Sequence, residues 1–272
     1  MLANLSSPLI KDRWVLKKKV GKGTFAELYQ ARSILPLEIE KCNSQVAIKL
    51  QTEDDLGTFG SIRTEAEILK ALNGLNTVPR YIKSGKHENR EYMVMELLGG
   101  EDMAHLRDRI RNDTGVRVIP LPGVIYLTLE MLKCIKNIHM KGFLHRDIKP
   151  ANFIRKKYNS SEFVMIDFGI TKQYKDLITL KIKPKRDEYC DFRGTAQYAS
   201  PFAHDGHDQC PRDDLLSLIL VFFDLICGKL PWLESVKLKD KTTTAQLKKD
   251  FFNLPNKFVN WVGDIAMSEM ER

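Results

Sequence analysis

Residues 143–169 read FLHRDIKPANFIRKKYNSSEFVMIDFG. The window places Asp147, Lys149 and Asn152 on one short loop and then supplies Asp167 at the end of an apolar strand. Phosphoryl transfer needs this set. Asp147 can accept the proton of an attacking hydroxyl, Asn152 and Asp167 can hold Mg²⁺, and Lys149 can neutralise the moving group. The spacing H-R-D-x-K-x-x-N followed by D-F-G is too long for chance assembly.

On these residues the chain resembles the eukaryotic protein kinase superfamily, and Lys149 resembles its Ser/Thr branch. The resemblance implies a two-lobed α+β fold as a single domain, monomeric, using ATP and Mg²⁺. A β-rich N-lobe is expected over about 12–95, a hinge at 96–100 and a mainly helical C-lobe over 101–272. Upstream, strand-like Trp14–Val20 and Leu28–Ala31 flank Gly21-Lys22-Gly23-Thr24-Phe25-Ala26. Such a glycine hairpin lets backbone N–H groups close over phosphates without Cβ obstruction. The family's third glycine is Ala26 here, whose methyl restricts positive φ and is expected to stiffen the loop. Val46-Ala47-Ile48-Lys49 matches the V-A-I-K strand, whose lysine reaches the α/β-phosphates. By the same resemblance Val20, Leu28 and Ala47 would enclose the nucleotide.

Lys49 needs a carboxylate, and helical phase selects it. Ile62, Leu69 and Leu72 recur at helical spacing. At 100° per residue Glu65 lies within about 60° of all three, whereas Glu67 points well away from Ile62. A buried carboxylate is costly unless paired with a cation, so Glu65 reads as the partner and Glu67 as a surface charge. Met95, ending the strand Glu91–Met95, resembles a gatekeeper backing the adenine. The Glu96 carbonyl and Leu98 N–H would then bond its edge.

Within the superfamily, Gly194-Thr195-Ala196-Gln197-Tyr198-Ala199-Ser200-Pro201 in place of A-P-E, Met95-Glu96-Leu97-Leu98-Gly99, Arg212–Leu218 and Leu230-Pro231-Trp232 resemble casein kinase 1. Phe192–Thr195 and Gly142–Asp147 look closer to its tau-tubulin kinase branch. The resemblance implies acidic or phosphorylated protein substrates. Ten basic residues, among them Lys172, Lys181, Lys183, Lys185, Arg186 and Arg193, crowd the activation segment and its neighbours, and a cationic rim favours such partners. Gln197 replaces the family's usual arginine, which puts a fixed phosphate pocket in doubt. Asp191 is the carboxylate expected to stand in for an activating phosphate near Arg146, so activity without activating phosphorylation is expected.

At 272 residues, 43% apolar and 29% charged, the chain can bury a full core. The apolar run Leu215–Cys227, 13 residues, is too short for a membrane span and reads as a buried helix beneath the loop at Asp147. Asp214 at its start should be buried and bonded to backbone near His145 and Arg146. Pro120–Lys141 reads as an amphipathic helix with Val124, Leu127, Met131, Cys134 and Ile138 on one stripe. Met1–Arg13 lacks the marks of a signal peptide, and five cysteines without a C-x-x-C pair suggest no disulfide framework, so cytosol or nucleus fits. His204-x-x-His207-x-x-Cys210 lacks a fourth zinc ligand and reads as a polar loop. The net charge of +8 comes without interleaved aromatics, which argues against direct nucleic-acid binding. A helix begins at Phe258–Met267, where relatives continue with more helices, so a truncated C-lobe is one expectation. A pseudokinase scaffold should lack an equivalent of Lys49, Asp147 or Asp167, and all three are present. A basic module for microtubules or acidic proteins is the other alternative.

Overall fold

The computed structural model of the chain describes residues 9–11, 13–23, 26–34, 45–52, 62–114, 119–158, 160–254 and 256. Thr24 and Phe25, and the helix expected at 258–267, lie outside the described residues. Strands β1 (Leu9–Ile10), β2 (Trp14–Lys22), β3 (Ala26–Ser33), β4 (Gln45–Gln51), β5 (Tyr81–His87) and β6 (Arg90–Glu96) form one antiparallel sheet in the order β1-β2-β3-β4-β6-β5. Alternation along Val46-Ala47-Ile48-Lys49-Leu50 decides its faces. Val46, Ile48 and Leu50 enter a core with Trp14, Leu16, Ala31 and Val94, which leaves Lys49 on the opposite face. Helix α1 (Ile62–Ala71) lies against β5 and β6, and its buried stripe includes Ile62, Glu65 and Leu69.

The second half is mainly helical. It contains α2 (Met103–Thr114), α3 (Leu121–Met140), α4 (Pro201–His204), α5 (Pro211–Cys227), α6 (Leu233–Lys237) and α7 (Lys241–Asn253). Two short ribbons carry the site: β7 (Phe143–Leu144) pairs with β10 (Lys172–Gln173), and β8 (Phe153–Arg155) with β9 (Phe163–Met165). The stripe Val124, Leu127, Met131, Cys134 and Ile138 of α3 is buried, and α3 packs on α5. Gly228 ends α5 in the left-handed conformation at φ 73°, a state glycine adopts without Cβ strain.

Helix α5 differs from the expected buried helix on one stripe: Leu215 and Ile219, one turn apart, are 39% and 41% exposed. Asp224 is tolerated inside it because its Oδ2 accepts from Arg107 Nη1 at 2.8 Å and from the Tyr198 hydroxyl at 2.9 Å. The main core runs from Ile62 and Leu69 of α1 through Met131 and Ile138 of α3 to Leu220 and Val221 of α5. The fold is thus α+β, sheet first and helices after, with a cleft where the two halves meet. Among the described residues no helix is long and apolar enough to cross a membrane.

Candidate active site

The loop between β7 and β8 is anchored from below. Asp214, in the first turn of α5, is 2% exposed. Its Oδ2 accepts the His145 N–H at 2.9 Å and meets His139 Nε2 at 2.7 Å, while Oδ1 accepts the Arg146 N–H at 2.8 Å. These bonds satisfy a carboxylate that would otherwise be costly to bury. They also hold Arg146 at φ 69°, a rare backbone state outside glycine. His145 Nε2 contacts the Ile166 carbonyl at 3.0 Å, and the Ile166 N–H donates to the Asn152 carbonyl at 2.9 Å. The two motifs of the opening window are therefore bonded to each other.

Three side chains converge on Asp147. Lys149 Nζ lies 2.6 Å from its Oδ2, and Asn152 Nδ2 donates to its carbonyl at 2.8 Å. The Thr195 hydroxyl donates to Oδ1 at 2.6 Å and accepts from Lys149 at 3.2 Å. With its amide nitrogen committed to Asp147, Asn152 keeps its side-chain oxygen for a cation.

Across the cleft, Lys49 Nζ sits 2.7 and 2.9 Å from the Glu65 oxygens and 3.2 Å from Asp167 Oδ1. Glu65 is buried and also receives the Phe168 N–H at 3.3 Å, whereas Glu67 pairs with Arg63 at the surface. Burial opposes the charge on Lys49, but Glu65 and Asp167 outweigh it and hold its pKa raised. Burial likewise opposes ionisation of Asp167, yet Lys49 and then His145 override it and hold the carboxyl below its usual range. An ionised Asp167 and the Asn152 oxygen are hard donors that suit Mg²⁺, an ion that takes few protein ligands and fills the rest from phosphates and water. No cluster of three His, Cys, Asp or Glu able to hold a metal occurs among the described residues.

These groups border a cavity of about 480 Å³ lined by Gly23, Lys49, Glu65, Asp147, Asp167 and Thr195, among others. That is the size of a small-molecule site. Val20, Gly21, Lys22, Leu28, Ala47, Met95, Glu96 and Leu98 are not on this lining. Most of them lie on the adjoining strands, where Leu28 pairs with Lys49 and Ala47 with Met95. Val20 is 48% exposed, and the Glu96 carboxylate accepts the Arg80 N–H. The expected stiffening by Ala26 has no backbone origin: it opens β3 outside the left-handed region, its side chain buried and its carbonyl bonded to Gly23.

A second cavity, about 470 Å³, is lined by Arg146, Lys172, Arg186, Arg193, Asp191 and Asp208, among others. Here the sequence expectation is corrected. Asp208, not Asp191, is the fixed carboxylate: both its oxygens lie 2.5 Å from Lys172 Nζ, and it accepts the Arg186 N–H at 3.0 Å. Burial opposes its ionisation, but Lys172 and the Arg186 N–H hold its carboxyl below the usual range. Asp191 is an exposed residue at the rim. The residues of His204-x-x-His207-x-x-Cys210 take separate places. His204 Nε2 meets the Ala196 carbonyl and Lys248, His207 lies edge-on to Phe202, and Cys210 caps α5.

Sequence reasoning assigned no role to Thr195, Asp208 or Lys248. For Lys248 a signal existed: it sits four residues after buried Thr244 and three before Phe251, on the inward stripe of α7. Thr195 and Asp208 gave none, since their partners are distant in sequence.

Over residues 14–265 the chain matches the family model described as protein kinase domain. It is also 36% identical over 250 residues to a "probable serine/threonine-protein kinase" of Dictyostelium discoideum, covering 91% of this chain and 47% of that protein. The chain spans about half the length of this curated relative. A cleft joining a sheet to a helical half, with Lys49 paired to Glu65 above and Asp147 anchored through Asp214 below, agrees with the match along the sequence, and the chain belongs to the protein kinase domain family.

Proposed function

We propose that the chain is a serine/threonine protein kinase that transfers the γ-phosphate of ATP to protein hydroxyls. One observation carries the reading: Asp147 and Lys149, with the buried Asn152 bonded to Asp147 behind them, line the same cavity as the Lys49–Glu65–Asp167 group. Lys49, fixed by Glu65, would hold the α/β-phosphates. Asp147 would orient the attacking hydroxyl and accept its proton, and Lys149, 2.6 Å away, would offset charge on the transferring group. Mg²⁺ would be held by Asp167 and Asn152, where it neutralises phosphate charge. The Thr195 hydroxyl occupies Asp147 Oδ1, the position a substrate hydroxyl would take.

The finer reading is a casein kinase 1-like preference for acidic substrates. Its support is the exposure of Lys181, Lys183, Lys185 and Arg186 beside the site. Lys172 does not contribute, because Asp208 neutralises it. Labelled ATP with matched acidic, phosphorylated and neutral peptides, at low and high salt, tests both levels. Transfer that Asp147→Asn reduces by at least about a hundredfold in kcat supports the kinase reading. Transfer unaffected by that change sinks it. Equal use of the three peptides sinks only the acidic preference, which salt should weaken over about 10 Å at 0.1 M.

A further inference from the structure

We propose that Lys248 is a positioning residue for the peptide substrate. From α7 it fixes the backbone of Ala196–Ala199, just after Thr195, and so sets which residues are accepted beside the phosphoacceptor. The inference rests on the kinase reading above.

Lys248 is fully buried. Its Nζ donates to the carbonyls of Ala196 and Ala199, each at 2.6 Å, and lies 3.1 Å from His204 Nε2. The Trp232 ring is 5.3 Å away, and no carboxylate pairs with Lys248 among the described residues. An ammonium buried without a counter-charge is expensive, and two carbonyl bonds return only part of that cost. Stability therefore does not explain this lysine. Geometry does: Trp232 Nε1 also donates to the Gln197 carbonyl at 2.8 Å. Three carbonyls within four residues are thus drawn to the helical floor, immediately after the threonine that touches Asp147 and Lys149.

His204 extends the hold, stacking on Phe192 with centroids 4.8 Å apart and so tying the same cation to the chain before Gly194. Burial pushes Lys248 well below its ordinary pKa. A neutral amine still has two N–H bonds for the carbonyls and a lone pair for a His204 Nε2–H, so either protonation state keeps both carbonyl contacts.

The test is Lys248→Met in the full chain, measured for melting temperature, ATP KM, peptide KM and preference in a position-scanned peptide library. The expected result is a melting temperature lower by a few degrees, because the Ala199 carbonyl loses its buried donor, with an ATP KM within about twofold. The peptide KM should rise by about tenfold or more, since a small displacement of a positioning segment is costly. Preference should flatten at positions following the phosphoacceptor. An unchanged peptide KM and library profile overturns the proposal, as does a proportional loss of ATP and peptide affinity, which marks a merely structural role. If Lys248→Met does not fold, Trp232→Phe carries the test. It keeps a ring but deletes the Gln197 bond, and the same selective rise is expected; no rise overturns the proposal. A wild-type chain that phosphorylates no peptide fails the kinase reading itself, whereas an active wild type matched by Lys248→Met fails only this inference.

Discussion

Asp214→Asn is the sharpest perturbation of the site that touches none of the groups lining its cavity. The carboxylate serves three donors with two oxygens: Arg146 N–H on Oδ1, and His145 N–H with His139 Nε2 on Oδ2. Asparagine keeps the shape but offers one oxygen. Whichever way its amide faces, an NH₂ group points at a backbone N–H, and at least one buried donor goes unmatched, at a cost of about 1–3 kcal/mol. For a 272-residue chain, an unfolding entropy near 2.1 cal/mol/K per residue turns this into a melting temperature lower by roughly 2–5 °C. The chemistry should suffer more than the fold. Asp147 follows Arg146 directly, so a shifted loop misplaces the proton acceptor, and kcat should fall by about tenfold or more. The ATP KM should hold, because Lys49 and Glu65 share no bond with Asp214. Thermal unfolding beside initial rates at saturating ATP checks both. A variant that melts and turns over like wild type refutes the anchoring argument, and a lower melting temperature with unchanged kcat refutes its link to catalysis.

Glu65→Gln leaves Lys49 with Asp167 alone and deprives it of its buried counter-charge. Turnover should fall by about 10- to 100-fold, or roughly 1.4–2.7 kcal/mol, as read from steady-state rates. Gly194→Ala puts a Cβ 2.6 Å from the Arg146 carbonyl at φ 102°, with an expected loss of about 1–3 kcal/mol in denaturant titration and lower peptide turnover. Burial, and then Lys248 beside it, push His204 down to about 4. Above pH 6.5 neither state binds this proton, and between 6.5 and 4 only the unfolded chain does. Stability should therefore fall with pH through that window, by at most about 1.4 kcal/mol per unit. His204→Phe should lose less melting temperature than wild type between pH 7 and 5, and identical losses would refute the assignment.

Contacts set by local periodicity were legible in the sequence. Helical phase separated Glu65 from Glu67, and the V-A-I-K match marked Lys49 as the lysine that needs it. Asp214 was legible because an acid on an apolar helix must find donors. What failed was the choice between acids by nearness along the chain. Asp191 is closer in sequence to Arg186 and Arg193, yet the turn after α4 carries Asp208 to Lys172. Thr195 was hidden for a related reason: its partner is a carboxylate 48 residues away and leaves no periodic trace. Lys248 showed its burial by its place on the inward stripe of α7, but its carbonyl partner, 52 residues away, did not show.

The Lys49–Asp167 contact joins residues 118 positions apart, and Glu65 meets the Phe168 N–H across 103. During synthesis at about 5–20 residues per second, the lysine therefore precedes its second carboxylate by roughly 6–24 s. The short hairpins β1–β2, β2–β3 and β5–β6 can pair in that interval, but the loop that closes the cleft has yet to be made. A nascent first half thus contains Lys49 and Glu65 without the loop that would turn bound nucleotide over. Competence arrives late, when the segment through Thr195 and the Asp214 that anchors the loop have both emerged and docked. The order of translation itself keeps the unfinished chain silent.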